Sequence, residues 1–279
     1  MGWIKDALLE LDIRPSKQRG QNFLSSIQDA KTLVREAGLT KGDHVIEVGP
    51  GLGAMTQALL EEGVRVDAVE IEPRFVEYLN RKFKDRQDQF TAHQTDFRVF
   101  DPSVFTGTSL TLVSNVPYVF STEMLLWMIR YRSYITKGSL LLQKEFAERV
   151  GASSGSRTYG SLSVFVQLFY SVRLGVQLPG DVFHPRAEVA SQQLHLHASD
   201  TYIDQVDDID YFEKVVRASF SMRRKMLLNC LLMKEIISSR SEGEHLLSRI
   251  GISHKARAEE LSIIDYISLV KELRNMFDS

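Results

Sequence analysis

Between His44 and Leu142, short runs of apolar residues alternate with segments whose apolar positions recur every three or four residues. Runs of that length bounded by turn formers read as buried strands, and the longer recurrences read as helices packed on them. The predicted strands are HVIEVG (44–49), VRVDAVEI (64–71), FTAHQTD (90–96), SLTLVSN (109–115) and GSLLLQ (138–143). AMTQALLEEG (54–63) is a helix ended by Gly63. RFVEYLNRKF follows Pro73, which suits a first helical turn, and places Phe75, Tyr78, Leu79 and Phe83 on one face. A further helix is expected over 122–131. Strand and helix in strict alternation predict a doubly wound α/β core with a parallel sheet.

Past Gln143 the rhythm changes. KEFAERV reads as a helix and GASSGSRTYG (151–160) as a polar, mobile loop, while QQLHLH (192–197) alternates like a strand at the end of the sheet. After Ala198 the pattern is helical in DYFEKVVRASF, RRKMLLNCLLMKEII, GEHLLSRIG and LSIIDYISLVKELRNMF. The chain therefore divides into residues 1–200, an α/β domain, and residues 201–279, a small all-helical domain. The acidic stretch ASDTYIDQVDDID reads as a solvated connector.

Composition narrows the class. The 279 residues are 43% hydrophobic and 25% charged, which excludes wholesale disorder. A single cysteine, Cys230, excludes an internal disulfide and reads as a small core residue. No apolar run approaches the length that spans a bilayer. The opening MGWIKDALLELDIRP carries Asp6, Glu10 and Asp12 and has no apolar signal core, so a cytoplasmic protein without a membrane partner is expected. His195 and His197 alternate on one strand, with no third ligand in register; exposed histidines are expected there, and no metal. Met222 and Met226 read as core.

The densest chemistry lies in EVGPGLG (47–53), directly after a predicted strand and before a predicted helix. Glycines at 49, 51 and 53 let a ligand approach the backbone, and the following helix presents free N–H groups. The spacing GxGxG, with Glu47 two residues upstream, differs from the dinucleotide fingerprint GxGxxG. It resembles the glycine motif of S-adenosylmethionine-dependent methyltransferases. At the end of the next strand Glu70 can accept both hydroxyls of a ribose. By the same resemblance Asp96, ending the third strand, stands where an adenine amino group is held.

SNVPYVFS follows the fourth strand, and ligands of open α/β sheets bind at the carboxyl ends of strands. Asn115, Val116, Pro117 and Tyr118 resemble the motif of enzymes that methylate exocyclic amino nitrogens. An adenine amino group is a poor nucleophile because its lone pair is delocalised into the ring. Hydrogen bonds from it to the Asn115 side chain and to a main-chain carbonyl near Pro117 would favour a pyramidal nitrogen, and Tyr118 offers a stacking surface.

QRGQNFL (18–24), EVGPGLG, Glu70, Asp96, NVPY, QKEFAERV (143–150), YGSLSV (159–164), VFHPRAEVAS (182–191) and SFSMRRKMLLN (219–229) occur in this order along nearly the whole chain. In that order they resemble the KsgA family of small-subunit ribosomal RNA adenine dimethyltransferases. The resemblance implies a class I, Rossmann-like methyltransferase domain with a small helical domain that binds ribosomal RNA. It implies S-adenosyl-L-methionine as cofactor and, as substrate, two adjacent adenosines in the loop of the 3′-terminal hairpin of small-subunit RNA, dimethylated at N6 late in subunit assembly by a monomeric enzyme. Matched motif by motif, cofactor contacts fall on Asn22, Leu24, Gly49, Gly51, Glu70, Asp96 and Asn115. The base pocket falls on Asn115, Pro117, Tyr118 and Phe183, the last closing on the far face of a base that has left its stack. Two residues depart from the family pattern: Val116 replaces leucine, and Ala187 replaces the second proline of the loop that carries Phe183.

Three rivals remain at this level. An erythromycin-resistance type enzyme acting on a large-subunit adenine shares QNFL and the NxPY motif; the SFSMRRK helix and helical tail favour the small-subunit reading. A DNA adenine methyltransferase would want a separate base-reading module. A non-catalytic assembly factor on the same fold would not need NVPY intact. The net charge of −2 argues against a polyanion partner only until it is divided. Residues 1–40, 41–101, 102–197 and 198–279 carry +1, −4, +3 and −2. Two segments hold positives and no acid: RPSKQRG, with Arg14, Lys17 and Arg19, and RASFSMRRK, with Arg217, Arg223, Arg224 and Lys225. These seven are the candidate phosphate contacts.

Overall fold

The computed structural model describes residues 2–15, 20–105, 107, 109–222 and 224–277. In chain order the elements are α1 (Gly2–Glu10), β1 (Phe23–Leu24), α2 (Ile27–Glu36), β2 (His44–Val48), α3 (Ala54–Glu61), β3 (Arg65–Glu70), α4 (Pro73–Lys82), β4 (Phe90–Gln94), β5 (Leu110–Asn115) and α5 (Ser121–Arg130). They continue with β6 (Ile135–Gln143), α6 (Lys144–Val150), α7 (Ser161–Phe169), β7 (Tyr170–Leu178), β8 (Phe183–His184), β9 (Ser191–Ala198), α8 (Ile209–Ser219), α9 (Leu227–Met233), α10 (Arg240–Arg249) and α11 (Ile263–Phe277).

Seven strands form one sheet in the order β4-β3-β2-β5-β6-β9-β7. Strands β2 to β6 run parallel and β9 runs antiparallel to β6. From β2 the chain winds outward through β3 and β4, then returns to the other side of β2 with β5. The carboxyl ends of β2 and β5 therefore flank a topological switch point, the place where open α/β sheets leave a crevice. Every residue of β2 is buried, as a parallel strand covered on both faces requires. His44 tolerates burial because its Nε2 meets Asp67 Oδ2 at 2.6 Å, and His93 Nε2 takes the other oxygen at 2.6 Å. Burial would raise the Asp67 carboxyl, but the two imidazoles hold it well below the usual carboxylate range.

The predicted face of α4 packs inward: Phe75 and Leu79 are fully buried, Phe83 is buried just past the helix end, and Tyr78 is half-buried. Ahead of the first predicted strand lie two helices that the sequence reading does not place. Ser26 caps α2 through its hydroxyl to the amides of Gln28 and Asp29. From α1, Ile4, Ala7 and Leu8 form a small core with Ile13, Phe23, Leu52 and Phe75.

The chain forms two compact units, Met1–Ala147 with Val172–Ala198, and Glu148–Ser171 with Ser199–Ser279. The division thus takes residues 148–171 out of the α/β unit, unlike the single cut near residue 200 read from the sequence. Within the second unit the Gly/Ser-rich segment is hydrogen-bonded to its neighbours. Gly155 N donates to Glu259 O at 2.7 Å, and Gln167 Nε2 donates to the carbonyls of Val150 and Ala152. Phe220 lies 6.0 Å from both the Tyr159 and Tyr266 rings.

Three local expectations change. SFSMRRK is not one helix: Ser219 ends α8, its other described residues lie in the turn before α9, Arg223 lies outside the described residues, and Met222 is exposed rather than core. Among its described residues, RRKMLLNCLLMKEII contributes only the short α9, around a buried Cys230. His195 is buried, not exposed, because it faces Gly175 of β7, where any Cβ would stand 2.4 Å from its Nε2. Burial, reinforced by Arg173 and His197, pushes its pKa down to about 4, which keeps it neutral. His197 is exposed as expected.

Candidate active site

The loop after β2 shapes the floor of the crevice. Gly51 (φ 53°) has room for no side chain, since a Cβ would sit 2.9 Å from the Phe23 ring. Gly49 (φ 70°) is different: nothing lies within 4 Å of where its Cβ would be, so its open side is space for a ligand. A cavity of about 390 Å³ lies there, in the range of small-molecule sites. Its lining includes Asn22, Leu24, Gly49, Gly51, Glu70, Asp96, Asn115, Pro117 and Tyr118. Every residue predicted for the cofactor thus reaches one cavity, from loops far apart in sequence.

The acids in this cavity are held in different ways. Glu70, at the end of β3, accepts from Gly51 N at 3.3 Å and Glu72 N at 2.9 Å. Burial raises its carboxyl above the ordinary value despite those amides. Glu47, which sequence reading used only as a motif marker, is completely buried and accepts from Thr56 Oγ1 at 2.6 Å. Burial, with a smaller push from Glu70, lifts its pKa to about 7. Asp96 is gripped by the residue two places on: Arg98 Nε lies 3.0 Å from both carboxylate oxygens, Nη2 contacts Oδ2, and Arg98 N donates to Oδ1 at 2.9 Å. Arg98 holds the Asp96 carboxyl below its ordinary range.

Asn115 ends β5 with its amide already oriented. Its Nδ2 donates to Asn22 O at 2.9 Å, which leaves Oδ1 as the acceptor not committed by that bond. The backbone after it is fixed on both sides: Val116 N donates to Leu141 O at 3.1 Å, and Pro117 O accepts from Phe120 N at 2.8 Å. Tyr118 shares a 2.8 Å hydrogen bond with the Ser191 hydroxyl, and burial raises its phenol above the usual value, so it stays neutral.

Phe183 stands apart from the other base-pocket residues. It pairs with Leu24 across the β1–β8 ladder, is 2% exposed, and belongs to the main core with Leu24; Tyr118 packs against that same core. It does not line the cavity in this conformation. Of the predicted phosphate contacts, Arg14, Arg217, Arg224 and Lys225 are exposed, while Lys17, Arg19 and Arg223 lie outside the described residues. Arg217 is engaged by Glu213 at 2.6 Å. Sequence reading missed Arg98 altogether. Its signal was spacing, since a guanidinium two residues past a strand-end acid can fold back on it.

A family model described as ribosomal RNA adenine dimethylase matches residues 14–275. The chain is 34% identical over 275 residues to the ribosomal RNA small subunit methyltransferase A of Moorella thermoacetica, covering 95% of each chain. Among solved structures, a dimethyladenosine transferase from Plasmodium falciparum is similar with a TM-score of 0.77 and 21% identity, over 91% of this chain and 98% of that one. The 23S rRNA methyltransferase ErmE is similar with a TM-score of 0.70 and 20% identity, over 91% of this chain and 100% of that one.

Proposed function

This chain belongs to the ribosomal RNA adenine dimethylase family, and on that premise we propose that it dimethylates the N6 amino groups of two adjacent adenosines in the loop of the 3′-terminal hairpin of small-subunit ribosomal RNA. The observation that carries the reading is the oriented amide of Asn115 in the same cavity as Glu70 and Asp96. Curated relatives similar over nearly the full length are named for the small subunit, which favours it over the large-subunit alternative. The fold is common to both types and does not separate them.

The cavity suits S-adenosyl-L-methionine. The open side of Gly49 admits a ligand against the backbone, Glu70 offers its remaining lone pairs to ribose hydroxyls, and Asp96 offers those not used by Arg98 to an adenine amine. Bound there, the cofactor supplies an electrophilic methyl group on a sulfonium. The protein's task is to prepare the nucleophile. One N–H of the target amine donates to Asn115 Oδ1 and the other to the main-chain carbonyl of Val116, next to the Pro117 carbonyl that already accepts from Phe120 N. Accepting both hydrogens favours a pyramidal nitrogen whose lone pair points away from the ring. Tyr118 stacks on the extruded base, offsetting about 1 to 3 kcal/mol of its unstacking cost.

The test is transfer of labelled methyl groups to unmethylated small and large ribosomal subunits, followed by mass spectrometry of the RNA digests. N6,N6-dimethyladenosine in the small subunit is expected. Label confined to the large subunit would overturn the substrate assignment.

A further inference from the structure

Four acids line the cavity, Glu47, Glu70, Glu72 and Asp96, against a single cation among the described lining residues, Arg98. An acidic pocket suits a sulfonium cofactor. Glu47 is buried and Glu72 accepts from Arg74 Nε at 2.9 Å, yet the remaining acids still make a poor entrance for RNA, whose phosphates next to an extruded base must pass the mouth of this cavity.

The geometry of Arg98 resolves that conflict. Its Nε and Nη2 edge is spent on Asp96, whereas Nη1 makes no hydrogen bond to any described residue. Its Cζ lies 5.5 Å from the centroid of Phe120, two residues past Tyr118, and the side chain is about half exposed. Asp96 and the ring thus hold the guanidinium in one orientation, between the wall that carries Asp96 and the wall that carries NVPY. A guanidinium fixed by a carboxylate on one edge loses less side-chain entropy when its other edge meets a phosphate.

We propose that Arg98 contacts the RNA backbone at the mouth of the active site, gripping a phosphate beside the target adenosine with its outer N–H groups. The proposal rests on the RNA-methylating reading above and adds to it a phosphate contact in the cofactor-binding half, where the charge balance is most negative. Arg98 is a positioning residue for the RNA; it touches no reacting atom.

Binding of unmethylated small subunits by the wild-type and Arg98→Ala proteins is measured across a potassium chloride series, and binding of S-adenosylhomocysteine by calorimetry. The expected result is subunit binding at least about fivefold weaker at low salt, with a log–log salt slope shallower by about one. Cofactor-product affinity should change by less than about twofold, and Arg98→Lys should restore the slope because it keeps the charge. Should the alanine variant unfold, Arg98→Gln, of similar length, is expected to lose the same increment of slope. Unchanged subunit affinity and slope, with weakened S-adenosylhomocysteine binding, would make Arg98 only a brace for Asp96 and overturn the proposal. Wild-type protein that binds no small subunit at all would instead overturn the functional reading beneath it, a result distinguishable from the first.

Discussion

In the proposed reaction Asn115 concentrates the chemistry, because its amide is oriented by the fold itself. The Asn22 carbonyl takes Nδ2, so the oxygen is left to accept from the target amine. Asn115→Ala is expected to lower kcat for methyl transfer by about 10²–10³, the cost of removing one preorganised partner of a transition state. Subunit binding, measured by filter retention, should stay within about threefold; near-normal turnover would refute the role. Glu47 gives a second test, on stability. Its carboxyl is raised from 4.5 to about 7, so between those values the folded state binds the extra proton and stability falls as pH rises through that window. Glu47→Gln removes the buried charge while Thr56 keeps an oxygen to donate to. The variant should therefore gain about 1–3 kcal/mol relative to wild type at pH 8, and much less at pH 5.5, in thermal or urea unfolding. An equal difference at both pH values would mean that Glu47 titrates as an ordinary carboxylate.

At the scale of elements, Phe183 poses the sharpest question, because β8 holds it in the core beside Leu24 rather than in the cavity. Phe183→Ala should cost about 3–5 kcal/mol through the void it leaves, so turnover of that variant alone would be ambiguous. Phe183→Leu keeps most of the volume. If the ring reaches the target base during the reaction, this variant should lose about tenfold in kcat/KM for RNA while its affinity for S-adenosylhomocysteine holds; unchanged kcat/KM would return the ring to a purely structural role. The same element shows what the sequence could reveal. Strands β2, β3, β5 and β6 were legible as largely buried apolar runs and helices α3 to α5 by their apolar recurrences and punctuation, while β4, of which only Phe90 is buried, lies at the sheet edge. Helices α1 and α2 were not, since their apolar faces are short and one depends on the Ser26 cap. His195 was misread because alternation along one strand does not show which face a neighbouring strand covers, and here Gly175 makes that cover close. The cavity-lining glycines, Glu70 and Asp96 were legible through glycine spacing and strand-end acids, and Asn22 and Leu24 only through the family resemblance. The proposed role of Arg98 was not, because it depends on what meets the guanidinium in space: the Asp96 carboxylate on one edge and the Phe120 ring.

For the whole molecule, a net charge of −2 conceals an unequal distribution, with residues 41–101 at −4 and basic segments elsewhere. The structure separates the predicted phosphate contacts by how committed they already are. Arg217 is bound to Glu213 in an i,i+4 pair, so its release to a phosphate would break an existing contact. Arg224 and Lys225 are exposed in the turn between α8 and α9, in a segment that holds no acid. The double substitution Arg224→Ala with Lys225→Ala should therefore reduce the salt slope of subunit binding by about two and weaken binding about tenfold or more at low salt. Arg217→Ala should reduce the slope by less than one. None of these changes should move kcat at saturating subunit, because none touches the cavity that holds Asn115. A slope that falls most for Arg217→Ala, or a loss confined to kcat, would show that the turn after α8 is not where this protein meets the RNA backbone.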